Sequence, residues 1–127
     1  VTAQRTLAGP RCNIGPDEIA RRRRIAIAAT VATVGLAVLL FGLGAPRIDR
    51  LAIWPLAAAA GVTWLQVVHR FCVRFGAFGV ENFGQVGAEV PVDPAFRTAD
   101  RRQAVRLILE GAFAGLVATL ALVLLPA

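Results

Sequence analysis

The chain has 127 residues, 57% of them hydrophobic, and its 14 basic residues against 8 acidic ones give a formal net charge of +6. Three apolar stretches occupy about half of that length, so too little remains to bury the core of a separate soluble domain, and one compact unit is expected. A pI near 11.4 would point to nucleic acid in a soluble protein; in a chain this apolar it reports membrane sidedness, and no nucleic-acid partner is expected.

Residues 1–15 read as a flexible arm that gains order as it reaches Asn13-Ile14-Gly15-Pro16. Pro16 suits the first position of a helix because its missing N–H would have no intrahelical partner there, and Asp17 and Glu18 favour the positive end of the helix dipole. Asp17 with Arg21 and Glu18 with Arg22 stand four apart, a spacing worth about 0.2–0.5 kcal/mol per pair. The run Arg21, Arg22, Arg23, Arg24 then falls at lipid-headgroup level. Each charge gains about 1 kcal/mol beside an anionic leaflet, which makes anionic lipids an expected partner.

The first span covers 25–44. It is longer than the apolar core of a secretory signal and two further spans follow, so a retained helix is expected. The connection at 45–50 is short and makes the first two spans antiparallel neighbours. Near the start of the second span, 51–69, Trp54 is expected as an interfacial anchor, since its ring is apolar and its N–H polar. Ala57 and Gly61 give that helix a smooth face, and Gln66 is expected to hydrogen-bond a neighbouring helix.

The long connection, 70–106, is the least ordinary part of the chain. Phe71, Phe75 and Phe78 follow an i, i+4, i+7 pattern, which predicts that the second helix continues past Arg74 with an aromatic stripe at the membrane surface. Phe75-Gly76-Ala77-Phe78-Gly79 and Phe83-Gly84-Gln85-Val86-Gly87 repeat an FGxxG pattern. A phosphate-cradling glycine loop needs a strand before it and a helix directly after it; neither is evident, so the segment reads as turns in a loop lying on the membrane surface. Asp93-Pro94 has the form of a cap and first position of a helix that enters lipid near Leu107.

The last span, 107–126, contains Gly111-Ala112-Phe113-Ala114-Gly115, a GxxxG pattern that lets backbones approach closely, within one protomer or between two. Glu110 lies about one turn inside it, and a carboxylate at depth is by default a functional hypothesis. Arg106, four residues earlier on the same face, offers a structural pair instead, with both side chains snorkelling toward the interface.

Arginine is the only strongly basic residue type in the chain. Arg5, Arg11 and Arg21 to Arg24 precede the first span, and Arg70, Arg74, Arg97, Arg101, Arg102 and Arg106 lie between the second and third; only Arg47 and Arg50 occupy the first connection. The positive-inside rule then predicts an all-α membrane protein of three transmembrane helices, with its N-terminus and long loop in the cytoplasm and its C-terminus outside.

Chemistry-bearing residues are few. His69 and Cys72 stand three apart on one predicted helical face, and Cys12 lies on the same predicted side. Imidazole and thiolate suit zinc, copper or haem iron. The set is too small for a closed zinc site, and without methionine there is no axial Met ligation. Cytoplasmic thiols stay reduced, so a permanent disulfide is not expected. No catalytic motif appears, and the expectation is a non-enzyme without cofactor, haem or metal at His69, Cys72 and Cys12 being the alternative.

The start Cys12-Asn13-Ile14-Gly15-Pro16-Asp17-Glu18, followed by the arginine run, and the later Phe71-Cys72-Val73-Arg74-Phe75-Gly76 with Gly79-Val80-Glu81-Asn82-Phe83, resemble small uncharacterised bacterial inner-membrane proteins carrying CNIGPxE and FCxxFGxxGxxNF segments. The resemblance covers much of the chain. It implies a bacterial inner-membrane location and similar topology, and it brings no activity. The leading expectation is an accessory or scaffold subunit of a larger membrane complex, with an energy-transducing assembly as the candidate. The alternatives are a metal- or haem-binding redox protein using His69 and Cys72, and a small homo-oligomeric transporter or channel with Gln66 and Glu110 facing a polar path.

Overall fold

The computed structural model describes residues 12–126. Residues 1–11 of the expected arm, with Arg5 and Arg11, lie outside the described residues. Helix α1, Pro16–Gly42, begins as expected with proline in its first turn beside Asp17 and Glu18. Its 27 residues, at about 1.5 Å rise each, exceed the roughly 30 Å hydrocarbon thickness. A 3-10 helix, Arg47–Ala52, runs directly into α2, Ile53–His69. A short helix α3, Val73–Phe78, and two short strands, β1 Val80–Glu81 and β2 Val90–Pro91, precede α4, Pro94–Leu124. Asp93 caps α4 as the sequence predicts, its Oδ1 accepting from Ala95 N at 3.0 Å. Three helical stretches, Pro16–Gly42, Arg47–His69 and Pro94–Leu124, are long and apolar enough to cross a membrane.

Helix α2 stands between the other two, packed on α4 along one side and on α1 along the other. The α4 side is closed by glycine. A Cβ on Gly111 would lie 2.5 Å from Val62 N, one on Gly61 would lie 2.7 Å from Gly111 O, and one on Gly115 would lie 2.6 Å from Ala58 N. The GxxxG pattern and the smooth Ala57/Gly61 face therefore meet inside the protomer, where close backbone approach gains dispersion contacts that apolar burial in lipid cannot supply. Trp54, expected as an interfacial anchor, straps these helices together, its Nε1 donating to Ala112 O at 3.1 Å. On the other side of α2, Trp64 Nε1 donates to Thr30 Oγ1 of α1 at 2.8 Å.

At the end of the molecule away from the arginine run, Arg50 is buried at 1% exposure. Its Nη1 donates to Leu125 O at 2.8 Å and Leu122 O at 3.0 Å, and its guanidinium sits 4.1 Å from the centre of the Phe41 ring. The last carbonyls of a helix have no intrahelical donor and carry the negative end of the dipole, so a buried cation satisfies both requirements. Arg50 thus ties the ends of α1 and α4 together, a role that counting it as a loop charge does not reveal.

The predicted extension of the second helix past Arg74 does not occur. Arg70 adopts left-handed backbone angles, φ 52° and ψ 46°, and ends α2. Gln66 secures this break from both sides, its backbone O accepting from Phe71 N at 3.0 Å and its Oε1 accepting from Val73 N, at the start of α3, at 3.1 Å. The expected aromatic stripe is consequently split. Phe71 is fully buried against Ala104 and Leu107, Phe75 is buried with Ile14 and Cys72, and Phe78 alone of the three is exposed. Of the two FGxxG repeats, the first is folded into α3, which Gly79 ends at φ 71°, and β1 pairs antiparallel with β2, Val80 opposite Pro91 and Glu81 opposite Val90; the second, 83–87, is a run of bends and turns, exposed from Gly84 on, with Gly87 at φ 94°.

Candidate functional site

The arginine-rich end of the molecule is closed by a small cap built from three separated segments. Asn13-Ile14-Gly15 lies between the turn that ends α2 and strand β1: Asn13 N donates to Arg70 O at 3.1 Å, Asn82 N to Asn13 O at 2.9 Å, and Gly15 N to Asn82 O at 2.8 Å. The Asn13 side chain then clamps the backbone of one residue of the α2–α3 turn, Oδ1 accepting from Cys72 N at 2.7 Å and Nδ2 donating to Cys72 O at 3.2 Å. Asn82 holds its own turn in the same way, accepting from Gly84 N and donating to Gln85 O. Both asparagines are buried, and every one of these bonds replaces water that burial removes. Gly15 is required by space, since a Cβ there would stand 2.5 Å from Phe83 O. The last part of the expected flexible arm, residues 13–15, is therefore a paired structural segment.

Under this clamp sits Cys72, 1% exposed, with Ile14 and Phe75 around it. Arg22 Nη2 donates to its Sγ at 2.9 Å and the same guanidinium lies 5.8 Å from the Phe75 ring centre. Glu18 is buried one turn back on α1 and pairs with Arg22 at 3.8 Å and with Arg21 at 3.7 Å. The predicted Glu18–Arg22 pair is present; Arg21 turns to Glu18 rather than Asp17. The four-arginine run is thereby divided. Arg22 points inward to thiol and carboxylate, while Arg23 and Arg24 are exposed and have no side-chain partner among the described residues.

The other predicted site residues are distributed as follows. His69 is half-buried at the last position of α2, and the left-handed turn at Arg70 takes Cys72 off that helix, so the two do not share a helical face. Neither Cys12 nor Cys72 is in a disulfide, and no group of three or more His, Cys, Asp or Glu placed to hold a metal ion occurs among the described residues. Glu110 accepts from Arg106 Nε at 2.9 Å on an exposed face of α4, the pairing their spacing suggested. Gln66 is buried and committed to Val73.

A cavity of about 620 Å³ lies beside the clamp, between the start of α1 and the end of α2. Arg23 and Arg70 line it together with Gly15, Ile19, Val67 and Val68. Its lining carries two positive charges beside apolar side chains, and no acidic residue lines it among the described residues. Asn13, Asn82, Arg50 and Arg70 escape sequence reasoning because each acts through a contact distant in the chain. The signal nearest to legible is Asn13-Ile14-Gly15, a polar and glycine bracket around one apolar residue directly before a helix start. Comparison with family models, with curated proteins and with solved structures finds no match, so the site is interpreted from its own geometry.

Proposed function

We propose that this chain is a non-enzymatic accessory or scaffold subunit of a larger complex in a bacterial inner membrane, an energy-transducing assembly being the candidate. The N-terminal segment and the cap face the cytoplasm in this reading, with the arginine run at the headgroups of an anionic leaflet and the C-terminus outside. The observation that carries it is the uncovered side of α1. Only 6% of that helix's apolar window is buried, and Gly35 and Gly42 have nothing within 4 Å of where a Cβ would stand. Glycine in a helix is costly relative to alanine, and it is useful in lipid where another backbone comes close. At Gly61, Gly111 and Gly115 that neighbour is inside the chain; at Gly35 and Gly42 it is a partner helix.

Mild detergent extraction of the native membrane, native-gel separation and mass spectrometry of the co-migrating chains test this directly. Co-migration with a large assembly, lost in Gly35→Leu but kept in wild type, is the expected result. Migration of the wild type as a lone monomer sinks the proposal. Migration as a multiple of itself favours the homo-oligomeric transporter reading, because a second copy would then cover α1. Stoichiometric metal or a haem absorption band in the purified protein would instead favour a redox role for His69, Cys72 and Cys12.

A further inference from the structure

The cavity between the start of α1 and the end of α2 carries an inference that does not need the subunit proposal, although it rests on the arginine-rich end lying at the lipid headgroups. Arg70 is the one non-glycine residue with positive φ among the described residues. A left-handed position ending a helix favours glycine or asparagine, and holding a side chain with a Cβ there is strained. Strain of this kind persists where the side chain is needed. The Arg70 backbone has a structural task, its O accepting from Asn13 N, but any residue could supply that carbonyl. What arginine adds is a guanidinium, and it lines the cavity together with that of Arg23.

Neither guanidinium has an ion-pair or hydrogen-bonding partner among the described residues. Four other arginines at this end are paired, Arg22 and Arg21 with Glu18, Arg74 with Glu89, and Arg106 with Glu110; Arg24 is unpaired among the described residues but does not line the cavity. Two unpaired guanidiniums facing one cavity repel each other, and a shared anion removes that repulsion. The remaining lining includes Ile19, Val67 and Val68, apolar side chains on the two flanking helices. A cationic site joined to an apolar wall matches an anion carried on an apolar tail.

We infer that this cavity is a binding site for the phosphate of one anionic membrane lipid, held between Arg23 and Arg70, with its acyl chain leaving between α1 and α2. The lipid fills the wedge that the cap leaves at this end and fastens α1, which α2 holds on only one side. Arg24 neighbours Arg23 on the same helix and does not line the cavity. A general attraction of the arginine run to an anionic leaflet would treat the two alike; this site does not.

Native mass spectrometry of the delipidated full chain in neutral detergent provides the test, with phosphatidylglycerol, phosphatidylcholine and inorganic phosphate as separate probes. Wild type should retain one phosphatidylglycerol per protomer and bind phosphatidylcholine about tenfold more weakly. Arg70→Gly, which relaxes the left-handed backbone and so should fold at least as well, and Arg23→Gln should each lose about tenfold in phosphatidylglycerol binding. Arg24→Gln, with the same net charge as Arg23→Gln, should bind as wild type. Equal losses in Arg24→Gln and Arg23→Gln would overturn the site and leave only the headgroup placement, and a wild type that retains no anionic lipid would overturn both. Saturable binding of inorganic phosphate that displaces phosphatidylglycerol would assign the cavity to a soluble phosphate compound and overturn the lipid. Circular dichroism of each variant shows that a loss of binding is not a loss of fold.

Discussion

The two sides of α2 are built on different principles. Toward α4 the backbones approach until three glycines, Gly61, Gly111 and Gly115, leave no room for a Cβ. Toward α1 the helices also pack along their length, but without such glycine contacts, Gly35 and Gly42 of α1 having nothing within 4 Å of a Cβ, and polar contacts reinforce the packing: Trp64 to Thr30 midway, the Asn13 clamp at one end and Arg50 against Phe41 at the other. Within one small protein, one side of α2 is therefore closed by backbone contact at glycines, and the other by packing without such glycines, reinforced by polar contacts at points along it.

That contrast is sharpest at the glycines. Gly111→Ala puts a methyl 2.5 Å from Val62 N, and we expect it to destabilise by about 2–3 kcal/mol, read as the unfolding midpoint in mixed micelles of denaturing detergent. Gly35→Ala in the same assay should be neutral or stabilising by up to about 1 kcal/mol, since it gains helix propensity and meets nothing. Similar losses at both positions would mean that Gly35, like Gly111, has a backbone neighbour in close contact.

Next in size is Arg50→Met, which keeps the length of the stem and removes the donors to Leu122 O and Leu125 O. Hydrogen bonds from a charged donor are worth about 1.5–3 kcal/mol, so a loss near 2 kcal/mol is expected, accompanied by faster amide exchange in the last turn of α4. Unchanged exchange there would show that the carbonyls are satisfied without Arg50. The smallest effect belongs to Trp64→Phe, which gives up one interhelical hydrogen bond in lipid at about 0.6 kcal/mol. A cost several times larger would move Trp64 from a point contact to a principal attachment of α1.

The long-range division of the molecule was readable in the residues. Span lengths near that of the hydrocarbon core, Pro16 and Asp93-Pro94 as helix starts, and the Arg106/Glu110 pair follow from local rules, because each depends on residues within about one helical turn. The α2–α3 break was not readable. Phe71, Phe75 and Phe78 obey a helical period, yet Arg70 takes a conformation that its residue type disfavours, and what holds it there is Gln66 from within α2 and Asn13 from far away in the chain. Periodicity records which residues prefer burial; it does not record that Phe71 and Phe75 are buried in two separate clusters.

The sequence by itself determined that this is a chain of three membrane-length helices with its charge concentrated at one end, because hydropathy, helix length and charge are properties of contiguous segments. Only the tertiary structure decided which arginines are paired and which are not among the described residues, which glycines are filled by a neighbour and which stay open, and that residues 13–15 and the long connection close into one cap. Those outcomes depend on distances between residues far apart in the chain, where a shift of an ångström separates a hydrogen bond from a gap and a glycine contact from a clash.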